Sequence, residues 1–149
     1  MTDSLAQNFS AQRRVNTVDR QGRVEILDLS GADLTTEALA DWSGHHPVLA
    51  YDEVTLEVAF TRGNATGFRI GVQAGPRPNA AAAEWFDLYD DSGGGVLTRR
   101  VYALDPAADA QVAVTFRVAY PYMRVKLWGV GADLTGSRAL VWAVRHMLA

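Results

Sequence analysis

Apolar and polar residues alternate one by one in five stretches of this chain. The clearest runs from Glu53 to Phe60, where every second residue is large and apolar. A period of two is the side-chain repeat of a β-strand with one buried face and one solvated face. The inward faces predicted in this way are Val54/Leu56/Val58/Phe60, Phe68/Ile70/Val72/Ala74, Val112/Val114/Phe116/Val118, Met123/Val125/Leu127 and Leu140/Trp142/Val144. The pattern predicts an antiparallel all-β protein.

Turn-forming residues divide the chain into about eight short strands. They are predicted at about 23–29, 51–61, 66–74, 84–89, 96–104, 111–119, 122–130 and 138–147. This spacing is typical of an antiparallel β-sandwich or a jelly-roll-like fold, with one helical turn at 35–40. The short connection Arg62–Ala65 contains a glycine and predicts a hairpin that pairs strands 51–61 and 66–74 directly.

Residues 1–22 differ from the rest, because their apolar residues follow no regular period. We interpret 1–22 as an extended N-terminal arm and 23–149 as the β-sandwich domain. A frayed terminus is the plainer interpretation. The alternative is an arm that orders against a partner, with apolar anchors and carboxylate-binding arginines. The residues assigned to partner binding on this ground are Phe9, Arg13, Arg14, Val15 and Arg20.

Composition limits the chemistry. The 149 residues fit one domain that is large enough to fold without staples. The chain has no cysteine, which excludes disulfides, thiolate metal sites and a cysteine nucleophile. A net charge of -3 argues against nucleic acid as a partner, and no apolar run is long enough to span a membrane. All basic residues except Lys126 are arginine, a side chain suited to protein interfaces.

Candidate sites for metals or catalysis are sparse. His45 and His46 are neighbours, and neighbouring residues of a strand point to opposite faces, so we expect no chelation. His146 continues the phase of Trp142 and is expected at the edge of the core. The acidic turn 87–95 lacks the spacing of an EF-hand loop, and no nucleophile elbow, phosphate loop or zinc-protease motif is present. We therefore expect no metal, no cofactor and no enzymatic activity.

The tryptophans fall into different phases. Trp142 is in phase with apolar residues and is expected in the core. Trp128 is out of phase with Met123, Val125 and Leu127 and lies on the face that carries Arg124 and Lys126. A tryptophan beside arginine is typical of interface cores, so Trp128 and Arg124 are assigned to partner binding, with Trp128 under a second layer or at an interface. A sugar-binding platform at Trp42 or Trp128 is the alternative.

Four segments of the chain resemble small structural proteins of tailed-phage virions. These segments are the strand Tyr51–Val58, the Trp-Phe-Asp-Leu block Trp85–Leu88, the aromatic–Met-Arg-Val strand Tyr122–Val125 and the Gly-x-Asp-Leu-Thr-Gly connection Gly131–Gly136. Within that class the chain is most similar to capsid decoration proteins, also called auxiliary or cement proteins.

The resemblance implies a function. A decoration protein binds the outside of the capsid and stabilises it by bridging subunits of the major capsid protein, commonly as a homotrimer. The expected location is the capsid surface of the virion, after assembly in the host cytoplasm, without nucleic-acid or membrane partners. The alternatives are a carbohydrate-binding or receptor-binding β-sandwich module, and a tail or head–tail connector component.

Overall fold

The computed structural model describes residues 23–48, 53–91, 97–118 and 120–146. The expected N-terminal arm, with Phe9, Arg13, Arg14, Val15 and Arg20, lies outside the described residues. The described part forms the following strands: β1 Arg23–Leu29, β2 His46–Pro47, β3 Glu53–Thr61, β4 Gly67–Gly75, β5 Phe86–Asp87, β6 Tyr89–Asp91, β7 Leu97–Arg99, β8 Val101–Leu104, β9 Ala110–Phe116, β10 Tyr122–Val130 and β11 Arg138–His146. Two three-residue 3-10 turns, Glu37–Leu39 and Ala82–Glu84, complete the described elements.

The longer strands form two antiparallel sheets. The four-stranded sheet has the order β1-β11-β3-β9. The five-stranded sheet has the order β2-β10-β4-β5, and β8 pairs with β4 along the same edge as β5. Strands β6 and β7 form a separate two-stranded ribbon. The expected all-β antiparallel sandwich is therefore confirmed.

The core lies between the two sheets and follows the predicted alternation in four of the five stretches. In β3 the side chains of Val54, Leu56, Val58 and Phe60 are all buried. The inward faces predicted for β4 and β10 are buried as well. In β9, which is an edge strand, burial of the predicted face is complete only towards its end, at Phe116 and beyond.

The predicted hairpin of β3 and β4 is wrong. The two strands belong to different sheets, because the connection at 62–66 crosses from one layer of the sandwich to the other. Phe60 and Phe68 consequently face each other across the core, with ring centroids 4.6 Å apart. Ala65 in the connection is fully buried, which a solvent-facing hairpin turn would not require. A short glycine-containing loop is compatible with both connections, so its composition did not distinguish them.

The predicted phase of β11 is also wrong. Ala139, Val141 and Ala143 face the core, and Leu140, Trp142 and Val144 lie half-buried on the outer face. The small inward residues of β11 lie beside the large inward residues of β3, as in the pairs Ala139–Phe60 and Ala143–Leu56. Both faces of β11 are apolar, and the space between the sheets admits the smaller set.

Two further expectations concern position in the fold. His146 shares the outer face of β11 and is not at the core edge; its Nε2 lies 2.9 Å from Oγ1 of Thr55, within hydrogen-bonding distance. No helical segment of the described residues has the length and apolar character needed to cross a membrane.

Candidate interaction surface

The outer face of the five-stranded sheet carries the most unusual group of side chains in the fold. Alternate residues of β4 and β10 point away from the core here, and the strand register places Arg124 opposite Gln73, Lys126 opposite Gly71 and Trp128 opposite Arg69. Three of the outward positions of β4, at 67, 71 and 75, are glycines. A sheet face with missing side chains leaves room for large rings to lie flat on the backbone.

Gly71 and Gly75 of β4 seat two tryptophans. A Cβ atom at Gly75 would lie 2.6 Å from the ring of Trp85, and a Cβ atom at Gly71 would lie 3.3 Å from the ring of Trp128. Trp85 is 8% exposed and Trp128 is 7% exposed. The Trp85 indole also donates a hydrogen bond from Nε1 to the carbonyl oxygen of Ala80, 3.1 Å away. Both rings are therefore fixed against the sheet.

Arg124 lies between two of the rings. Its guanidinium carbon is 4.7 Å from the ring centroid of Trp85 and 4.9 Å from that of Trp42. The Nε atom donates to Oε1 of Gln73 at 2.9 Å, and Nε2 of Gln73 donates in turn to Asp87 at 2.8 Å. Burial lowers the pKa of Arg124, and the negative charge of Asp87 opposes this change. Each contact with a ring contributes about 0.5–2 kcal/mol, the larger value applying where water is excluded.

Lys126 extends the same row. Its Nζ lies 4.9 Å from the ring centroid of Trp42 and donates to the carbonyl oxygen of Glu37 at 3.4 Å. Rings and cations therefore alternate across the sheet in the order Trp85, Arg124, Trp42, Lys126. We call these four residues, together with Trp128 on the same face of β10, the tryptophan–cation surface.

The loop between β1 and β2 brings Trp42 into this row. Ser43 follows Trp42 and bonds to Val125 in both directions: its N–H donates to the Val125 carbonyl at 2.7 Å, and its hydroxyl accepts from the Val125 N–H at 3.0 Å. Further along the same edge of β10, the N–H of Gly129 donates to the carbonyl of Thr35 at 2.9 Å. The loop is thus tied along β10, and the rings of Trp42 and Trp128 both lie within 4 Å of a Cβ atom placed at Gly71.

The charges at this surface are unevenly paired. At its margins Arg69 pairs with Asp105 at 2.9 Å. On the other side Arg99 pairs with Glu37 at 2.8 Å. Within the described part of the chain, Arg124 and Lys126 form no ion pair with a carboxylate. Two stacked cations beside aromatic rings are suited to an acidic or carboxylate-bearing partner.

Two of the residues predicted for partner binding, Trp128 and Arg124, come together at this surface. Trp128 is covered by other residues of the chain, at 7% exposure, and its assignment to partner binding stays a prediction. Because little of its ring is exposed, Trp128 does not offer a free face to a sugar. Sequence reasoning missed the parts played by Trp42 and Trp85. The available signal was the pair of glycines on the outward face of β4, next to a strand with an outward tryptophan.

The metal candidates do not come together. His45 is exposed, whereas His46, the first residue of β2, is buried at 5% exposure. Among the residues that the structure describes, no three His, Cys, Asp or Glu side chains are placed to hold a metal ion.

Comparison with solved structures shows distant similarity to a phage-derived protein. No protein-family model matches the chain, and no curated protein is similar to it. The crystal structure of an SPBc2 prophage-derived protein, YomS, is similar over 83% of this chain and 90% of that chain, with a TM-score of 0.40 and 16% sequence identity.

Proposed function

We propose that this chain is a non-enzymatic structural protein of a tailed-phage virion, which binds the outside of the capsid and bridges subunits of the major capsid protein. The four segments that resemble virion proteins support the class. The tryptophan–cation surface is the observation that carries the mode of action, because it combines aromatic rings with two cations that form no ion pair among the described residues.

Pre-arranged cations favour binding. A free arginine or lysine loses side-chain entropy when a partner immobilises it, and this cost reduces affinity. In this protein the rings of Trp42 and Trp85 already hold Arg124, and Gln73 fixes its Nε. A carboxylate of the partner can therefore bind to a group that is already ordered and partly desolvated, where an ionic hydrogen bond is stronger than in water.

The partner on this proposal is an acidic patch on the outer surface of the major capsid protein. The N-terminal arm, with Phe9, Arg13, Arg14, Val15 and Arg20, supplies the second contact and reaches a neighbouring subunit. Binding that occurs only to the assembled shell shifts the assembly equilibrium towards intact particles, which is how such a protein stabilises a capsid. Self-association as a homotrimer would present three copies of both contacts and raise the avidity.

The test is co-sedimentation of the purified protein with capsid shells that lack it. The double variant Arg124→Gln/Lys126→Gln keeps side-chain length but removes both charges, and we expect it to weaken binding about tenfold or more. Arg138→Gln is the matched control, because Arg138 belongs to β11 of the opposite sheet, where it pairs with Asp33. Deletion of residues 1–20 should abolish binding and leave the fold intact.

Different results would refute different parts of the proposal. Shells that bind none of the wild-type protein would contradict the virion function itself. Equal binding by the double variant and the wild type would exclude the tryptophan–cation surface as the contact. Full decoration by the truncated protein would exclude the arm.

A further inference from the structure

The central strand β11 of the four-stranded sheet carries large apolar residues on its outer face. Leu140, Trp142 and Val144 point away from the core and are half-buried by their neighbours. The outer face of an antiparallel sheet that contacts water usually carries polar residues. We call these three residues the outer stripe. They lie on the sheet opposite to the tryptophan–cation surface, so that surface does not account for them.

A recess of about 310 Å³ lies beside the outer stripe. Ala59 and Ala113, which are diagonal neighbours on the outer faces of β3 and β9, line the recess together with Trp142. The paired side chains of Arg23 and Glu57 also line it, as does Gln111. Its volume is sufficient to hold an apolar side chain from another segment.

Carboxylates and arginines both border the outer stripe, and some of the carboxylates have no cationic partner among the described residues. Glu25 is directly opposite Trp142 in the pairing of β1 with β11, and Glu53 is opposite His146 in the pairing with β3. Within the described residues neither Glu25 nor Glu53 forms an ion pair, whereas Glu57 accepts a bond from Arg23 at 2.8 Å. A segment that combines apolar and basic side chains would complement this surface.

The first 22 residues of the chain have this composition. Their apolar residues are Leu5, Phe9, Val15 and Val18, and their basic residues are Arg13, Arg14 and Arg20. The segment joins β1 at Arg23, whose guanidinium carbon already lies 4.2 Å from the ring centroid of Trp142. The chain therefore enters the sheet one strand away from the outer stripe, and Gly22 at the junction permits a reversal.

The distances are compatible with docking within one molecule. The five residues from Leu140 to Val144 span roughly 13 Å along the strand, at about 3.3 Å per residue. About six extended residues of the arm would cover them. Tethering at Arg23 gives the arm an effective local concentration in the millimolar range, which a second molecule reaches only in concentrated solution.

We propose that residues 9–20 dock on the outer stripe of the same molecule, with an apolar anchor in the recess and arginine side chains on Glu25 and Glu53. This proposal does not depend on the virion function. If the chain is a virion protein, the arm is docked on the outer stripe in the free protein and detaches from it when the protein binds a shell.

The test uses the absence of cysteine, which allows one label per chain. A nitroxide is attached to the variant Ser10→Cys, and its broadening of the four tryptophan indole N–H signals is recorded by NMR. We expect selective loss of the Trp142 signal. The signals of Trp85 and Trp128, on the opposite face of the sandwich, should persist and serve as internal controls. Reduction of the nitroxide should restore Trp142.

A tethered arm that does not dock would also approach Trp142 from time to time. The deciding comparison is therefore with Ser10→Cys/Phe9→Ser/Val15→Ser, whose substitutions all lie before the sandwich domain. Docking predicts that these changes relieve most of the Trp142 broadening. Unchanged broadening would overturn the proposal, as would the absence of selective broadening in the parent variant.

A mixed sample identifies the molecule that supplies the arm. Unlabelled ¹⁵N protein is combined with nitroxide-labelled ¹⁴N protein, so only contacts between molecules broaden the observed signals. Docking within one molecule predicts that Trp142 is unaffected. Loss of its signal in the mixed sample would show an arm exchanged between copies and would contradict the proposal.

Discussion

His46 makes the free energy of unfolding of this protein depend on pH between about 7 and 4. The carboxylates of the protein act in stronger acid. The side chain is 5% exposed, and its Nε2 has no hydrogen-bond partner in the described part of the chain. Burial lowers the pKa of His46 from 6.5 to about 4, and the positive charge of Arg145 and the neighbouring His45 act in the same direction. The folded protein therefore holds this ring neutral.

The size of the effect follows from the two pKa values. As the pH falls below 6.5, the unfolded chain binds a proton at His46 and the folded protein does not, so stability is lost on acidification. The loss is negligible above about pH 7, reaches about 2 kcal/mol at pH 5 and levels off at about 3 kcal/mol below pH 4. Glu84 and Asp133 act differently, since hydrogen bonds lower their pKa values and their contribution is lost only in stronger acid.

The assay is urea unfolding at a series of pH values, followed by tryptophan fluorescence. The variant His46→Gln removes the titrating group, and we expect a flat free energy of unfolding between about pH 8 and pH 5, whatever its value at neutral pH. His45→Gln is the matched control, because the exposed neighbouring ring contacts water in both states. A second variant, His46→Leu, has neither a titrating group nor an amide, and we expect it to show the same flat pH dependence as His46→Gln.

The reasoning would be refuted by either of two results. In the first, the free energy of unfolding of the wild type would not change between pH 7 and pH 5. In the second, the free energy of unfolding of His46→Gln would fall over this range by as much as that of the wild type.

The remaining predictions concern packing. Gly75→Ala should reduce stability by about 1–3 kcal/mol, because the new methyl group overlaps the ring of Trp85; Gly44→Ala, with open space around its Cβ position, is the control, and equal melting temperatures would contradict the seating of the ring. Leu56→Ala should cost about 2–5 kcal/mol at a fully buried site, whereas Leu39→Ala, at 73% exposure, should change the free energy of unfolding by about 0.5 kcal/mol or less; similar losses in chemical denaturation would show that the core is placed wrongly.

Period-two alternation identified most of the strands and their inward faces. It succeeds in β3 and β10 because large apolar residues on one face alternate there with polar residues on the other, and only one orientation buries the large set. Strand β10, at Tyr122–Val130, has the bounds expected from the sequence. The same reasoning fails for β11, where Leu140 and Val144 on the outside are larger than Ala139 and Ala143 on the inside.

The pairing of strands was not accessible from local sequence. The connection at 62–66 has the residues of a tight hairpin, yet it crosses the core and buries Ala65. Gly63 in this connection has a φ of 53°, and a Cβ atom there would collide with the backbone of Gly136, in the connection between β10 and β11. This close approach of two distant loops accompanies the crossing, and neither loop reveals it alone.

The tryptophan–cation surface was predicted in part. Trp128 was recognised because it is out of phase in an otherwise regular strand. Trp42 reaches the surface only because the loop after β1 is hydrogen-bonded along β10, and Trp85 reaches it because Gly75 leaves space. Both depend on the path of irregular segments, which periodicity does not describe.

The central claim is that the protein acts by presenting the tryptophan–cation surface to a capsid. The most direct measurement is a cryo-EM map of capsid shells incubated with the purified protein. The account predicts density on the outside of the shell, fitted by the β-sandwich with Arg124 and Lys126 facing carboxylates of the major capsid protein. Shells without added density, or a sandwich bound with that face towards solvent, would contradict it.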